Sequence, residues 1–129
     1  MATFGTVINC MDGRTQLPAN AYLREQLEVD YVDTITEAGP IRILGEEPDS
    51  ALSDSIMARV RVSTDQHGSK AVAIVAHYDC TGNPVPKERQ LEQLDLAVRF
   101  VAAQCPGIRI LGLWIDENWT VSKVCSAWD

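Results

Sequence analysis

Short apolar segments alternate along this chain with longer segments in which apolar residues recur every three or four positions. The short segments are rich in β-branched residues, which is typical of strands, and they cover residues 4–9, 31–36, 70–76 and 108–115. The longer segments predict amphipathic helices over residues 18–28, 49–66 and 87–104. A turn near residues 117–119 then leads to a short last strand over residues 120–124. This order restricts the chain to an α/β fold, because consecutive parallel strands need a crossover connection.

We predict a mostly parallel four-stranded sheet in the order 2-1-3-4, with helices on both faces and a short fifth strand near the C-terminus. Segments 70–76 and 108–115 are the most continuously apolar, as expected for central strands that are covered on both faces. The length of 129 residues fits one domain, so we expect a single domain over residues 1–129.

Composition narrows the range of partners and compartments. Eighteen acidic residues against eleven basic ones give a net charge of −7, the wrong sign for a protein that binds phosphate backbones. No apolar run approaches the roughly 20 residues of a membrane helix, and the first residues do not resemble a secretion signal. We therefore expect a cytoplasmic protein that binds neither nucleic acid nor membranes.

The chain has four cysteines, and two of them follow predicted strands. In a reducing compartment, cysteine spacing indicates metal or catalytic chemistry rather than disulfides. The first strand runs into Cys10 and the third into His77 and Cys80. Ligands of such sheets bind beyond the carboxyl ends of strands one and three, so these side chains should converge. Two thiolates and one imidazole form a natural zinc site with an open fourth position, although burial as ordinary core residues is the alternative.

Asp12 and Arg14 directly follow the first candidate ligand. Arg14 can hold the Asp12 carboxylate as an acceptor for a zinc-bound hydroxide, or as the fourth ligand when water is absent. An ordinary loop ion pair is the alternative. A cysteine-based phosphatase is excluded, because Gln16 and Pro86 occupy the positions six residues after the two cysteines, where that class needs Arg.

The pattern Cys10-x-Asp12-x-Arg14 followed by His77-x-x-Cys80 resembles the signature of the β-class carbonic anhydrases, C-x-D-x-R and then H-x-x-C. The resemblance covers nearly the whole chain and extends to Pro18, Asp30, 38–39 and 112–116. It implies that Cys10, His77 and Cys80 bind one Zn²⁺ per chain and that Asp12 and Arg14 are the catalytic pair. The implied reaction is the reversible hydration of carbon dioxide to bicarbonate by zinc-bound hydroxide, in a homodimer or a higher homo-oligomer.

The chain departs from that family's pattern beside the site. Thr36 and Glu37 replace an Arg-Asn pair, and Thr81 replaces the Gly that usually follows the second cysteine. Only residues 81–86 connect Cys80 to the last helix, where typical members carry a helical insert, so we expect a more exposed zinc ion or cover from another surface. Two alternatives stay open: a non-catalytic zinc-binding domain of this family, and a hydrolase of carbonyl sulfide or carbon disulfide that uses the same site.

Three tryptophans and two cysteines lie late in the chain. We expect Trp114, Trp119 and Trp128 to pack in the core or at a dimer interface, with a wall of the substrate site as the alternative. Cys105 and Cys125 match no pairing pattern, so we expect semi-buried thiols.

Overall fold

The structure is a computed structural model that describes residues 1–127. Its elements in chain order are β1 (Phe4–Cys10), α1 (Gln16–Leu27), β2 (Tyr31–Glu37), α2 (Pro40–Glu46), α3 (Ala51–Arg61), β3 (Ala71–His77), α4 (Lys87–Gln104), β4 (Arg109–Ile115) and β5 (Val121–Ala127). A 3₁₀ turn, Gly13–Thr15, precedes α1, and a π-helical turn, Val62–Gln66, extends α3.

The five strands form one sheet in the order β2-β1-β3-β4-β5. The first four strands are parallel, and β5 runs antiparallel to β4 along the edge. The predicted α/β fold, strand order and C-terminal strand are confirmed. However, β5 has seven residues, as many as each of the other strands, so it is not short.

The helix α2 is missing from the sequence-based prediction. Gly39 and Pro40 mark the end of β2 in the sequence, but Pro40 is also the first residue of α2, a position where its fixed φ favours a helix. Gly39 has a φ of 63°, which glycine adopts without strain, and so the chain turns sharply from strand to helix. The predicted helix over 49–66 is also shorter than expected, because α3 ends at Arg61 and continues as the π-helical turn.

Helices cover both faces of the sheet, three on one side and one on the other. On the first face, Ile8 and Ile74 pack with residues of α2, α3 and α4, including Leu94. On the second face, Val75 and Leu113 pack with α1. All seven residues of β3 are buried, as its continuous apolar pattern predicts.

The pairing between β1 and β3 is shorter than that between the other parallel neighbours. β1 pairs with β2 through seven residues, and β3 pairs with β4 through seven. β1 and β3 pair only through residues 6–8 and 72–74, so the ladder stops before either strand ends. This is also the point where the strand order reverses, which is where ligands bind in sheets of this kind.

Within residues 1–127, no helix combines the length and the apolar character needed to cross a lipid bilayer.

Candidate metal centre

The structure brings together Cys10, His77 and Cys80 at the carboxyl ends of β1 and β3. Cys10 is the last residue of β1, His77 is the last residue of β3, and Cys80 lies in the loop that follows. Their ligand atoms all lie within 4.8 Å of one another, and the side chains are buried. The two Sγ atoms are 3.8 Å apart. Two Zn–S bonds of about 2.3 Å at the tetrahedral angle span about 3.8 Å, so the sulfur spacing fits zinc.

The orientation of the His77 ring supports the same conclusion. Nδ1 lies 2.7 Å from the carbonyl oxygen of Tyr78, and since a carbonyl only accepts, Nδ1 carries the proton and donates it. Nε2 is then an acceptor, and it is buried with no hydrogen-bond partner in the described part of the chain. An unpaired buried nitrogen is costly, unless it binds a ligand. Metal-binding histidines typically use this arrangement, with the second nitrogen fixed by a carbonyl group.

The electrostatics of the cluster favour a positive charge among the three side chains. The pKa of Cys10 is lowered to about 4, chiefly because the Cys80 thiol donates a hydrogen bond to the Cys10 thiolate. The same hydrogen bond and burial raise the pKa of Cys80, so the two sulfurs share one proton. Burial alone favours a neutral His77, but the adjacent Cys10 thiolate raises the pKa of the imidazole. A divalent cation would replace these protons.

Main-chain N–H groups near both sulfurs favour the thiolate form. Those of Gly39 and Asp12 lower the pKa of Cys10, and those of Gly82 and Asn83 act in the same direction on the pKa of Cys80. Because Thr81 displaces the expected glycine by one position, Gly82 now makes the close approach. A Cβ at Gly82 would lie 2.8 Å from the carbonyl carbon of Ala38.

Two glutamines of α4 hold the loop that carries His77 and Cys80, and sequence reasoning missed both. The Gln90 amide accepts from the His77 N–H at 3.3 Å and donates to the His77 carbonyl at 2.9 Å. Gln93 accepts from Asn83 at 2.7 Å. Both glutamines are buried on the packed face of α4, alongside its buried apolar residues. Amides at such positions were a usable signal, because a buried amide needs polar partners.

Asp12 and Arg14 form the predicted pair. Oδ1 of Asp12 accepts from the Arg14 main-chain N–H at 2.9 Å and from Nε at 3.0 Å, and Oδ2 accepts from Nη2 at 2.7 Å. This two-pronged contact lowers the pKa of Asp12 to about 2, and the carboxylate in turn raises the pKa of Arg14. The carboxylate is therefore ionised at neutral pH and can only accept hydrogen bonds.

A cavity of about 320 Å³ opens beside the metal ligands. Mainly apolar surface lines it, from Cys10, Met11, Asp12, Ala38, Thr81 and Gly82. Of the two outcomes expected for this short loop, the burial fits cover from another surface, since Cys10, His77 and Cys80 are 4%, 1% and 6% exposed. The loop 81–86 packs against the turn between β2 and α2 and so covers the ligands without a longer insert.

The other acidic, cysteine and tryptophan side chains singled out in the sequence lie in different environments. Glu37 forms an ion pair with Arg59, which offsets its negative charge near the site. Cys105 is buried and Cys125 half-buried, and both are free thiols. Trp114 belongs to the core, and Trp119 packs against the second core cluster as well as against Arg14. Trp128 lies outside the described residues.

Comparisons with known protein families match nearly the whole of this chain. A family model described as "Putative carbonic anhydrase" matches residues 1–125. No curated protein sequence matches the chain significantly.

Solved structures of β-carbonic anhydrases share the fold. One is from a study of two tetrameric enzymes of the filamentous ascomycete Sordaria macrospora, with a TM-score of 0.65, 11% identity, and coverage of 98% of this chain and 83% of that one. A variant of CafD from Aspergillus fumigatus gives a TM-score of 0.58 at 15% identity, covering 97% and 90% of the two chains. The enzyme CcaA gives 0.57 at 12% identity, covering 95% and 80%. Because the family model matches residues 1–125 of this chain, the chain belongs to the family described as putative carbonic anhydrase, and it shares the fold of the β-class enzymes.

Proposed function

We propose that this protein is a zinc-dependent carbonic anhydrase that catalyses the reversible hydration of carbon dioxide to bicarbonate. One observation carries the proposal: two sulfurs at zinc-compatible spacing face a buried histidine nitrogen that has no other partner. Cys10, His77 and Cys80 would hold one Zn²⁺ and leave a fourth position open. A zinc ion in such a site acts as a Lewis acid and lowers the pKa of water to about 7.

Asp12 would orient the attacking water. Its Oδ2 accepts one hydrogen bond from Arg14 and keeps a lone pair free, whereas Oδ1 accepts two. Because the carboxylate is ionised and acts only as an acceptor, a water bound to it points its own lone pairs elsewhere, towards a substrate in the cavity. Arg14 fixes the Asp12 carboxylate through two parallel hydrogen bonds, so this hydrogen-bond acceptor is already in position before the reaction begins.

The cavity suits a small substrate without charge. Met11 and Ala38 contribute apolar surface beside Cys10, and carbon dioxide is a linear molecule without a net dipole. Glu37 pairs in register with Cys10, and Arg59 offsets its charge, so this side of the site carries less negative charge than the sequence suggests.

Stopped-flow measurement of carbon dioxide hydration by zinc-loaded protein tests the proposal. Asp12→Ala should lower kcat by about 100-fold or more, as expected for loss of a group that positions a proton acceptor. Asp95→Ala is the matched control, because Asp95 pairs with Arg99 on the surface of α4, away from the site, at 2.9 Å. A wild-type rate no better than buffer, unchanged by Asp12→Ala, would refute the proposal.

The same preparations separate the alternatives. Release of sulfide from carbonyl sulfide or carbon disulfide, without carbon dioxide hydration, would replace the proposal with a hydrolase. Stoichiometric zinc without either reaction would replace it with a non-catalytic zinc domain. We further propose a cytoplasmic homodimer or higher homo-oligomer. Support comes from the tetrameric state named for the Sordaria enzymes and from the four free thiols of this chain.

A further inference from the structure

Arg14 is contacted by more than Asp12. Its Nη1 lies 3.4 Å from the Asp79 carboxylate, and its Nη2 donates to the Asp79 main-chain oxygen at 3.2 Å. The guanidinium carbon also lies 4.6 Å from the centroid of the Trp119 ring, within the range of a cation–π contact. The guanidinium is therefore held by the loops that follow β1, β3 and β4.

Both additional partners have an unusual backbone conformation. Among the described residues, three that are not glycine have a positive φ: Glu28 at 53°, Asp79 at 57° and Trp119 at 60°. Glu28 ends α1, whereas the other two both contact Arg14. A bulky residue such as Trp rarely adopts this conformation, and such strain persists where the surrounding structure enforces it, often at functional sites.

The turn between β4 and β5 holds Trp119 in place. Its N–H donates to the Asp116 carbonyl at 2.9 Å. The Asp116 carboxylate accepts from the N–H groups of Asn118 and Thr120, also at 2.9 Å. These hydrogen bonds fix the backbone on both sides of Trp119, and the turn thereby holds the indole ring against Arg14.

Without these contacts, the Arg14 side chain would be restrained only by its two hydrogen bonds to Asp12, since 45% of it is exposed. Asp12 is two residues from Cys10 and lines the same cavity. A carboxylate is a good zinc ligand, so an Asp12 released from Arg14 would compete with water for the open position.

We propose that Trp119 and Asp79 are positioning residues that hold Arg14 against Asp12, and thereby keep the Asp12 carboxylate off the metal. This proposal rests on the proposed function for its effects on metal coordination and on activity. The contacts themselves involve this chain alone.

The first test observes Arg14 directly in metal-free protein by NMR. The Arg14 Hε resonance, assigned by its loss in Arg14→Lys, should be shifted upfield by the Trp119 ring current and should exchange slowly with solvent. In Trp119→Leu the shift should disappear and the exchange should accelerate. Trp119→Phe has the same backbone requirement and keeps an aromatic face, so its Hε shift and its exchange rate should lie between those of wild type and Trp119→Leu.

The second test uses cobalt(II)-substituted protein, whose visible absorption reports the ligands. Trp119→Leu and Asp79→Asn should each alter the spectrum, since a fourth protein ligand replaces water. In an Asp12→Asn background, the same substitutions should leave the spectrum unchanged. With zinc, kcat should fall about 10- to 100-fold while KM stays constant, as expected for a displaced catalytic group.

Glu117→Gln is the charge-matched control for Asp79→Asn, because Glu117 lines a cavity with Asp79 but does not contact Arg14. Identical Arg14 resonances and cobalt spectra in wild type and Trp119→Leu would overturn the proposal. A wild-type protein that binds metal without hydrating carbon dioxide would instead refute the proposed function, while the resonance and the spectra would still decide whether Arg14 is held.

Discussion

Replacing Gly82 with Ala should weaken both the fold and the metal site. A Cβ at this position would lie 2.8 Å from the Ala38 carbonyl carbon and 3.0 Å from the Gly39 nitrogen. These are main-chain atoms, so the loop after β3 has to move away from the turn between β2 and α2. Since the main-chain N–H of Gly39 acts on the pKa of Cys10 and that of Gly82 on the pKa of Cys80, these two glycines lie beside the two sulfurs, and the movement should change the sulfur spacing.

The expected magnitude follows from two opposing terms. Overpacking of this kind lowers the free energy of unfolding by about 2–3 kcal/mol, whereas the reduced flexibility of the unfolded chain raises it by about 0.5 kcal/mol. The net loss is about 2 kcal/mol. For a chain of 129 residues, with an unfolding entropy of about 2.1 cal/mol/K per residue, this lowers Tm by about 7 °C.

Gly13→Ala is the matched control, because a Cβ at Gly13 would meet nothing within 4 Å and its φ is not positive. It should raise the free energy of unfolding by about 0.5 kcal/mol. Thermal unfolding followed by circular dichroism gives the stabilities, and zinc titration against a chromophoric chelator gives the affinities. If Gly82→Ala and Gly13→Ala have the same Tm and the same zinc affinity, the close contact does not hold the two loops together.

Three further substitutions or conditions test separate parts of the structure. Gln90→Leu leaves the main-chain groups of His77 without their side-chain partner, so the free energy of unfolding should fall by about 1–3 kcal/mol in chemical denaturation; an unchanged value would contradict the role of this amide. Burial raises the pKa of Cys105, so the folded state holds this proton more tightly than the unfolded state does, and stability should fall as pH rises above the ordinary thiol value of 9.0. The fall should be less steep in Cys105→Ala, and equal slopes would exclude Cys105 as the cause. Arg59→Gln removes the partner of Glu37, so the KM for bicarbonate dehydration should rise, most clearly at low salt; a KM independent of this substitution would place Glu37 outside the route of the anion.

The convergence of Cys10, His77 and Cys80 could be predicted from sequence, because their positions depend on local patterns and one topological rule. Cys10 and His77 end apolar strands, and the carboxyl ends of neighbouring parallel strands meet wherever those strands pair. The pairing of Asp12 with Arg14 follows from their separation by a single residue in a turn. These features need no knowledge of how distant side chains pack.

Other parts of the site depend on tertiary contacts that the sequence does not encode locally. The contact of Trp119 with Arg14 joins the turn after β4 to the loop after β1, and no periodicity links the two. The helix α2 has only seven residues, too few for a clear apolar repeat. In the sequence, Gly39 fits either the end of a strand or the start of a helix. Its φ of 63°, which marks the turn into α2, is visible only in the structure.

Because the ladder between β1 and β3 is short, the candidate metal site lies where the two halves of the sheet are joined by the fewest main-chain pairs. Beyond Ile8 and Ile74 these two strands have no main-chain pairing to each other, and Cys10 and His77 are the last residues of the two unpaired strand ends. A bound ion there would be a cross-link between the half of the sheet that contains β1 and β2 and the half that contains β3, β4 and β5. Zinc occupancy would then govern how easily the two halves separate, so this protein's mechanical integrity and its chemistry would depend on the same three side chains.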